Sequence, residues 1–346
     1  MSTTSPEHHP ESPDTHEIPN ELDTRRLVRR ALVVVVAIVV LVLIALLAPG
    51  LGSVRAILER ASPGWIAVAI VFEVLSSLSY VAMFRPAFCP RMSWRSTFEI
   101  SLSEIAVGSI VPASGAGGVA LGAWILTRSG MPVAVVARRS VAFLLIKSSV
   151  NFVAVAIIGV LLWLGVGPDL SPALTILGTA ISVGILVGVP VVARALGKAG
   201  ARGGKKLRAV ATAVYDGVGE AGRLLKRGDP LLIGGAIGYW LFDNLVLLAT
   251  FHAFGLSPPL IIVLMAYLCG QLGGILPLPG GIGGIDGGLI GTLIVYGIPV
   301  AEATAAVLAY RVVLFWIPLL MGIPAWFFLR RGLDDIARED LRAVEA

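Results

Sequence analysis

The chain alternates between long apolar runs and short charged segments. Residues 31–48, 231–242 and 312–329 contain no acidic or basic side chain. A helix needs about 20 mostly apolar residues to cross the hydrocarbon of a bilayer, so such runs predict membrane-spanning helices. The pattern predicts an all-α integral membrane protein, a polytopic helical bundle whose first helix covers residues 29–48.

Composition agrees with this prediction and changes how the net charge is interpreted. Hydrophobic residues make up 56% of the chain and charged residues 14%, against roughly 45–50% and about 25% in soluble proteins. The net charge of +5 comes largely from short segments beside the apolar runs. Positive charge at such places sets the orientation of spans, so it does not indicate a nucleic-acid partner.

The basic segments predict the topology. Four arginines between residues 25 and 30 precede the first run, and Arg330 and Arg331 follow the last one. Because positive residues favour the cytoplasmic side, we expect a cell-membrane protein with both termini in the cytoplasm. The remaining assignments are a disordered tail over 1–28, a membrane domain over 29–330, a basic cytoplasmic loop over 196–229 and a cytoplasmic C-terminal tail over 331–346.

Two segments must leave one membrane face and return to it. Residues 96–137 lie between cytoplasmic arginines, and residues 258–298 lie between an outward and an inward span. Each contains a helix-breaking run, Pro112–Gly118 in the first and Pro277–Gly288 in the second. We predict a broken or re-entrant Pro/Gly hairpin in each segment, and full short spans remain an alternative.

The two hairpins resemble each other and indicate an internal repeat. The Gly-x-Pro-Val-Ala motif that ends the first, Gly130–Ala134, recurs at Gly297–Ala301. Upstream, Glu73 and Asp243 each stand eleven residues before a phenylalanine. The chain divides into units 29–165 and 172–330, whose hairpins enter from opposite faces. Inverted repeats are typical of secondary transporters with sites near the broken helices, although glycine can also serve helix packing alone.

One family resemblance follows from these motifs. The run Leu276–Gly288 with Tyr296–Glu302 and Tyr310-Arg311 resembles the lysylphosphatidylglycerol synthase transmembrane-region family, which includes the flippase domain of MprF-type proteins. The run Pro112–Gly118 is similar to its weaker first motif. One departure is Asp286, where the family pattern is expected to have Glu. The resemblance covers residues 25–330 and implies lipid translocation or handling, without the soluble synthase domain.

Ionisable residues within spans are costly and mark candidate sites. The candidate lipid-contacting side chains are Arg311, Lys147, Glu73, Asp243, Asp286, Tyr310 and Asn151. The candidate hairpin backbone positions are Pro112, Gly115, Gly117, Gly118, Pro277, Pro279, Gly280, Gly281, Gly283 and Gly284. Glu99 and Glu104 lie close together on the first hairpin arm. We expect Arg311 and Lys147 to attract a lipid phosphate, while Glu73 and Asp243 balance charge, contact a positive headgroup or carry protons.

Structural alternatives accompany each of these candidates. The buried charges could serve only as ion pairs between helices, and Asp286 could cap the short helix that follows it. The leading function is a flippase-like protein that moves a phospholipid or related amphipathic lipid by alternating access. A membrane-embedded enzyme acting on a lipid headgroup and a non-transporting scaffold remain alternatives. Membrane lipids, above all anionic phospholipid, are the expected partners; no catalytic residue, metal or cofactor is expected, and a homo-oligomer stays open.

Overall fold

A computed structural model describes residues 56–110, 116–165, 172–200, 204–273 and 283–345, with Arg29, Leu32, Val35 and Val36 before them. The predicted tail over 1–28 and most of the first predicted helix lie outside these ranges. So do the centres of both predicted hairpins, which include Pro112, Gly115, Pro277, Pro279, Gly280 and Gly281.

The described ranges are almost wholly helical and contain no strand. Within the described ranges from residue 63 onward the helices are α1 (Pro63–Phe88), α2 (Trp94–Ile110), α3 (Ala116–Arg128), α4 (Val133–Trp163), α5 (Pro172–Gly200), α6 (Lys205–Lys226), α7 (Pro230–Ala253), α8 (Leu260–Gly273), α9 (Gly284–Val295) and α10 (Val300–Glu345). Five of these are long and apolar enough to cross a membrane, namely α1, α4, α5, α7 and the first part of α10. Helices α8 and α9 are apolar but shorter.

The outer surface of these helices is suited to lipid. Large apolar side chains such as Trp163, Val187 and Phe327 are exposed, at 78%, 60% and 59%. In water, an apolar surface of this extent would have to be covered by a partner, whereas a bilayer solvates it directly. Together with the five spans, this exposure confirms the predicted polytopic helical membrane protein.

Helices α1 and α7 make the most extensive contact between any two helices in the described ranges. A Cβ atom placed on Gly235 of α7 would lie 2.7 Å from the Met83 nitrogen and the Ser79 carbonyl oxygen of α1. Ser76 Oγ of α1 donates a hydrogen bond of 3.1 Å to the Tyr239 carbonyl oxygen of α7. Small residues thus let the two backbones approach closely, as membrane helices commonly do.

Glycine also brings the hairpin arms together. A Cβ atom on Gly118 of α3 would collide with the Glu104 carbonyl oxygen of α2. On the other side, a Cβ atom on Gly288 of α9 would lie 3.0 Å from the Cys269 carbonyl oxygen of α8. These two glycines therefore have a packing role, which the sequence left as an alternative to site formation.

The predicted repeat has a counterpart in the helix contacts. Helices α1 and α7, which carry Glu73 and Asp243, occupy the same place in the two predicted units and pack against each other. In each predicted unit the two helices that flank the predicted hairpin centre contact each other, α2 with α3 and α8 with α9. The opposite orientation of the units relative to a membrane stays a prediction.

Two segments for which the sequence predicted no secondary structure are helical. Much of the predicted basic loop over 196–229 is helix α6, which packs on α4 and α5 through buried Ala211, Ala221 and Leu224. Its apolar positions recur at helical spacing, but the many intervening charges conceal them in a hydropathy profile. Beyond residue 330, α10 continues as helix to Glu345 because Ala, Leu, Arg and Glu in that stretch favour helix.

Candidate functional site

Asp243 joins three helices near the middle of the bundle. Its side chain, on α7, is buried, with 6% of the residue exposed. Tyr310 of α10 donates its hydroxyl to Oδ1 at 2.9 Å, and Tyr267 of α8 donates its hydroxyl to Oδ2. Both carboxylate oxygens are therefore satisfied inside an apolar bundle, where an unsatisfied carboxylate would be costly.

Asp286 and Arg311 form an ion pair between α9 and α10. Arg311 Nε and Nη2 both donate to Asp286 Oδ1, at 2.8 and 2.5 Å. The side chain of Arg311 is only 12% exposed and that of Asp286 only 15%. The other carboxylate oxygen, Oδ2, accepts a bond of 3.0 Å from the Gly283 backbone N–H, where φ is +89°. Asp286 is thus both an N-terminal cap of α9 and the counter-ion of Arg311.

Glu104 is the corresponding buried acid of the first hairpin. It lies on α2 with 2% of its surface exposed, and Tyr80 of α1 donates its hydroxyl to Oε2 at 3.0 Å. Its carboxylate rests against Gly122 of α3, where a Cβ atom would lie 2.6 Å from Glu104 Cδ. A side chain at residue 122 would occupy this space, so the glycine makes room for the buried acid.

Lys147 is a cation of α4 that contacts side chains of both α1 and α7. Its Nζ lies 5.6 Å from the ring centre of Tyr80 and 5.4 Å from that of Tyr239, on α1 and α7. Cations are attracted to the faces of such rings at this distance. Lys147 also interacts electrostatically with Glu104 and Asp243. The ammonium group therefore lies near the facing rings of α1 and α7, and it interacts with the two buried acids Glu104 and Asp243.

Asn151 holds α4 against α7. Asn151 lies one helical turn after Lys147, and its Oδ1 accepts a hydrogen bond of 2.9 Å from Trp240 Nε1. Lys147 and Asn151 thus share the face of α4 that contacts α7, as their four-residue spacing requires.

Glu73 is the least satisfied acid of this region. It lies on α1 with 5% exposure, and its Oε2 has no hydrogen-bond partner among the described residues. Its carboxyl group is close enough to Asp243 for the two to interact electrostatically. A buried acid of this kind is costly in its charged form without a partner.

The structure brings all seven predicted side chains into this region between α1, α4, α7, α9 and α10. It adds Glu104, which the sequence placed beside Glu99 without assigning it a lipid contact, and the three tyrosines Tyr80, Tyr239 and Tyr267. Tyr239 stands one turn before Asp243, and this spacing could have suggested it; Tyr267 stands among apolar residues of α8 with no comparable sequence clue. Gly117, Gly118, Gly283 and Gly284 lie at the starts of α3 and α9, and the other six predicted hairpin positions lie outside the described ranges.

Among the described residues, the acids of this network outnumber its bases. Ion pairing and electrostatic interactions there connect two cations, Lys147 and Arg311, with the carboxyl groups of Glu73, Glu104, Asp243 and Asp286. If every group were ionised, the acids would exceed the bases by two. In a low-dielectric interior such an excess is relieved by bound protons or by a cationic ligand group. No metal-ligating group of three His, Cys, Asp or Glu residues occurs in the described part of the chain.

The fold and this network define a polytopic helical membrane protein with a buried, charged centre where its tightly packed helices meet. Its sequence places it further: the family model described as "Lysylphosphatidylglycerol synthase TM region" matches residues 31–322, and the chain belongs to this family.

Similarity to individual relatives is local. Three matches are to proteins described as "UPF0104 membrane protein" from Methanothermobacter thermautotrophicus. The first is 28% identical over 121 residues, 34% of this chain and 36% of the relative. The second is 34% identical over 84 residues, 24% and 25% of the two chains. The third is 32% identical over 101 residues, 29% of each. The chain thus covers about a third or less of each relative.

Proposed function

We propose that this protein is a flippase-like transporter that moves a phospholipid or related amphipathic lipid across the cell membrane. The observation that carries the proposal is the ion pair between Asp286 and Arg311, beside the buried Asp243 cluster. Charged groups in the interior of a membrane protein are costly, and they are typical of substrate and ion pathways. Membership of a family described by the transmembrane region of a lipid synthase supports a lipid substrate.

Arg311 is the proposed phosphate-binding group. Its planar guanidinium suits phosphate and carboxylate oxygens alike, so a lipid phosphate can replace the Asp286 carboxylate that now contacts it. The exchange would separate α9 from α10 at this point and would leave Asp286 to cap α9 through Gly283. A substrate-controlled contact between a hairpin arm and a long helix is the kind of element that alternating access requires.

The close pair α1 and α7 would stay together during this change. Gly235 brings the two backbones into direct contact, and Ser76 adds a hydrogen bond between them. The hairpin arms would therefore move relative to a stable central pair, as broken helices do in inverted-repeat transporters.

The excess of acids suggests the energy source. Glu73 and Asp243 are close to each other, and Glu73 Oε2 has no hydrogen-bond partner among the described residues. We assign these two groups as proton carriers, so that a proton gradient drives the cycle. Both termini would face the cytoplasm, where their flanking arginines are favoured.

The test is lipid translocation by purified protein in proteoliposomes, measured with a fluorescent phosphatidylglycerol. Arg311→Gln and Asp243→Asn should each slow translocation at least about tenfold, the effect of losing roughly 1.4 kcal/mol of binding or barrier energy. Arg331→Gln is the control for the first change because it lies exposed on the same helix. Asp229→Asn is the control for the second, since Asp229 caps α7 and asparagine caps equally well.

Two results would contradict the proposal. One is unchanged translocation by correctly folded Arg311→Gln and Asp243→Asn variants. The other is a lipid of altered headgroup mass after incubation, which would indicate a membrane-embedded enzyme instead. A pH gradient across the liposomes should accelerate the wild-type protein and leave the Asp243→Asn variant unaffected.

A further inference from the structure

An apolar cavity lies outside the central network, between α4, α5 and α6. Its volume is about 350 Å³, and Ile146, Phe152, Leu186 and Leu225 are among its lining residues. Leu225 and Val189 are 43% and 36% exposed, so the cavity reaches the protein surface. A cavity of this size and lining accommodates an apolar segment of a ligand.

A cluster of arginines stands at one end of this cavity. Arg223 of α6 pairs with the buried Glu220 at 3.1 Å, while Arg138 and Arg139 of α4 lie at 3.9 and 3.8 Å from the same carboxylate. Three guanidinium groups thus surround one carboxylate, which leaves two positive charges in excess. The Nε atoms of Arg138 and Arg139 are buried and have no hydrogen-bond partner among the described residues.

The cluster lies next to the cavity along α4. Arg138 precedes Leu145, a cavity residue, by seven positions, which is two turns or about 10 Å along one face of α4. On α6, a Cβ atom on Gly217 would lie 3.3 Å from the Arg138 carbonyl oxygen, and Gly217 directly precedes Val218, which lines the cavity. Arg223 lies on another face of α6, with 62% of its side chain exposed. The positive charge at Arg138 and the apolar space are therefore neighbouring parts of one elongated surface.

We infer that this surface binds one anionic phospholipid, with an acyl chain in the cavity and the phosphate at the arginine cluster. Charge complementarity selects this occupant, because arginines favour phosphate oxygens and a neutral amphipath would leave the excess charge unmatched. The bound lipid joins α6 to α4 and α5 and so holds the amphipathic helix in place. None of the residues lining the cavity belongs to the network around Asp243 and Arg311, and the inference does not depend on transport.

Lipid retention by the purified full-length protein tests the inference, with native mass spectrometry after titration with phosphatidylglycerol or phosphatidylcholine. The site proposed for transport can also hold a phospholipid, so the readout is one further phosphatidylglycerol molecule that the wild-type protein retains. Phosphatidylcholine should be retained at this position at least about tenfold less. Gly222→Leu places a side chain into the cavity, and a Cβ atom there meets nothing within 4 Å, so the helix tolerates it. Retention of phosphatidylglycerol by this variant should be about tenfold weaker than by the wild-type protein.

Gly219→Leu is the matched control, because it makes the same change on the same helix, also has open space and does not line the cavity. Arg138→Gln should weaken phosphatidylglycerol retention about fivefold, as expected for one basic residue at a lipid phosphate. Lys226→Gln, which removes an exposed cation of α6, should have a smaller effect. Equal retention of both lipids, or unchanged retention by Gly222→Leu, would overturn the inference.

Discussion

Arg311 donates two N–H groups to a single carboxylate oxygen of Asp286, at 2.8 Å from Nε and 2.5 Å from Nη2. The two residues are 25 positions apart and belong to the second hairpin arm and the helix after it. This ion pair therefore joins α9 to α10.

The strength of this ion pair can be measured by a double-mutant cycle. We expect Asp286→Asn and Arg311→Gln to show a coupling free energy of about 1–3 kcal/mol, because the pair is largely removed from solvent. The exposed pair Arg95 and Glu99, at 2.9 Å, should give only about 0.3–0.5 kcal/mol. The free energy of unfolding in mixed detergent micelles is the measurement. Equal coupling in both pairs would contradict a specific contribution of the Asp286–Arg311 ion pair to holding α9 on α10.

The close contact of α1 with α7 predicts opposite effects at two adjacent glycines. A Cβ atom on Gly235 would meet the backbone of Met83 and Ser79 at 2.7 Å, whereas one on Gly234 meets nothing within 4 Å. Gly235→Ala should therefore destabilise the protein by about 1–3 kcal/mol, the usual cost of overpacking. Gly234→Ala should be neutral or stabilise it by up to about 1 kcal/mol, since alanine favours helix. Thermal unfolding in detergent distinguishes them, and equal effects would contradict the close α1–α7 contact.

The hydroxyl groups around Asp243 predict a specific loss. Tyr310→Phe removes the donor to Oδ1, and we expect a loss of about 1.5–3 kcal/mol of stability, typical of a hydrogen bond to a charged group. Tyr215→Phe, at a position 51% exposed on α6, is the control and should change stability by less than about 0.5 kcal/mol. The same unfolding measurement applies, and a tolerant Tyr310→Phe would show that Asp243 does not need this donor.

The inverted orientation of the two units can be tested at equivalent positions. Val133 and Val300 occupy the same place in the two Gly-x-Pro-Val-Ala motifs and are 67% and 59% exposed. After replacement of Cys89 and Cys269, we expect a membrane-impermeant maleimide to label Val300→Cys in intact cells. Val133→Cys should react only after permeabilisation. Labelling of both in intact cells would refute the inverted arrangement.

Several parts of this molecule could be predicted from the sequence alone. The apolar runs over 231–242 and 312–329 predicted the spans that became α7 and α10, because the bilayer sets a minimum length that no soluble helix needs. Glu73 and Asp243 were recognisable as site candidates because an ionisable residue within a span is costly. The motif from Leu276 to Gly288 was sufficient to indicate the family.

The partners of those residues were decided only by the tertiary structure. Tyr310, 67 positions from Asp243 in the chain, donates its hydroxyl to that carboxylate. Arg311 donates to Asp286, for which the sequence allowed either helix capping or headgroup binding. A helix that is apolar on every side gives no preferred inward face, so its rotation follows from packing rather than from hydropathy. Gly235 illustrates the reason: the absence of one Cβ atom determines how closely α1 and α7 approach, and hence which polar groups can meet between them.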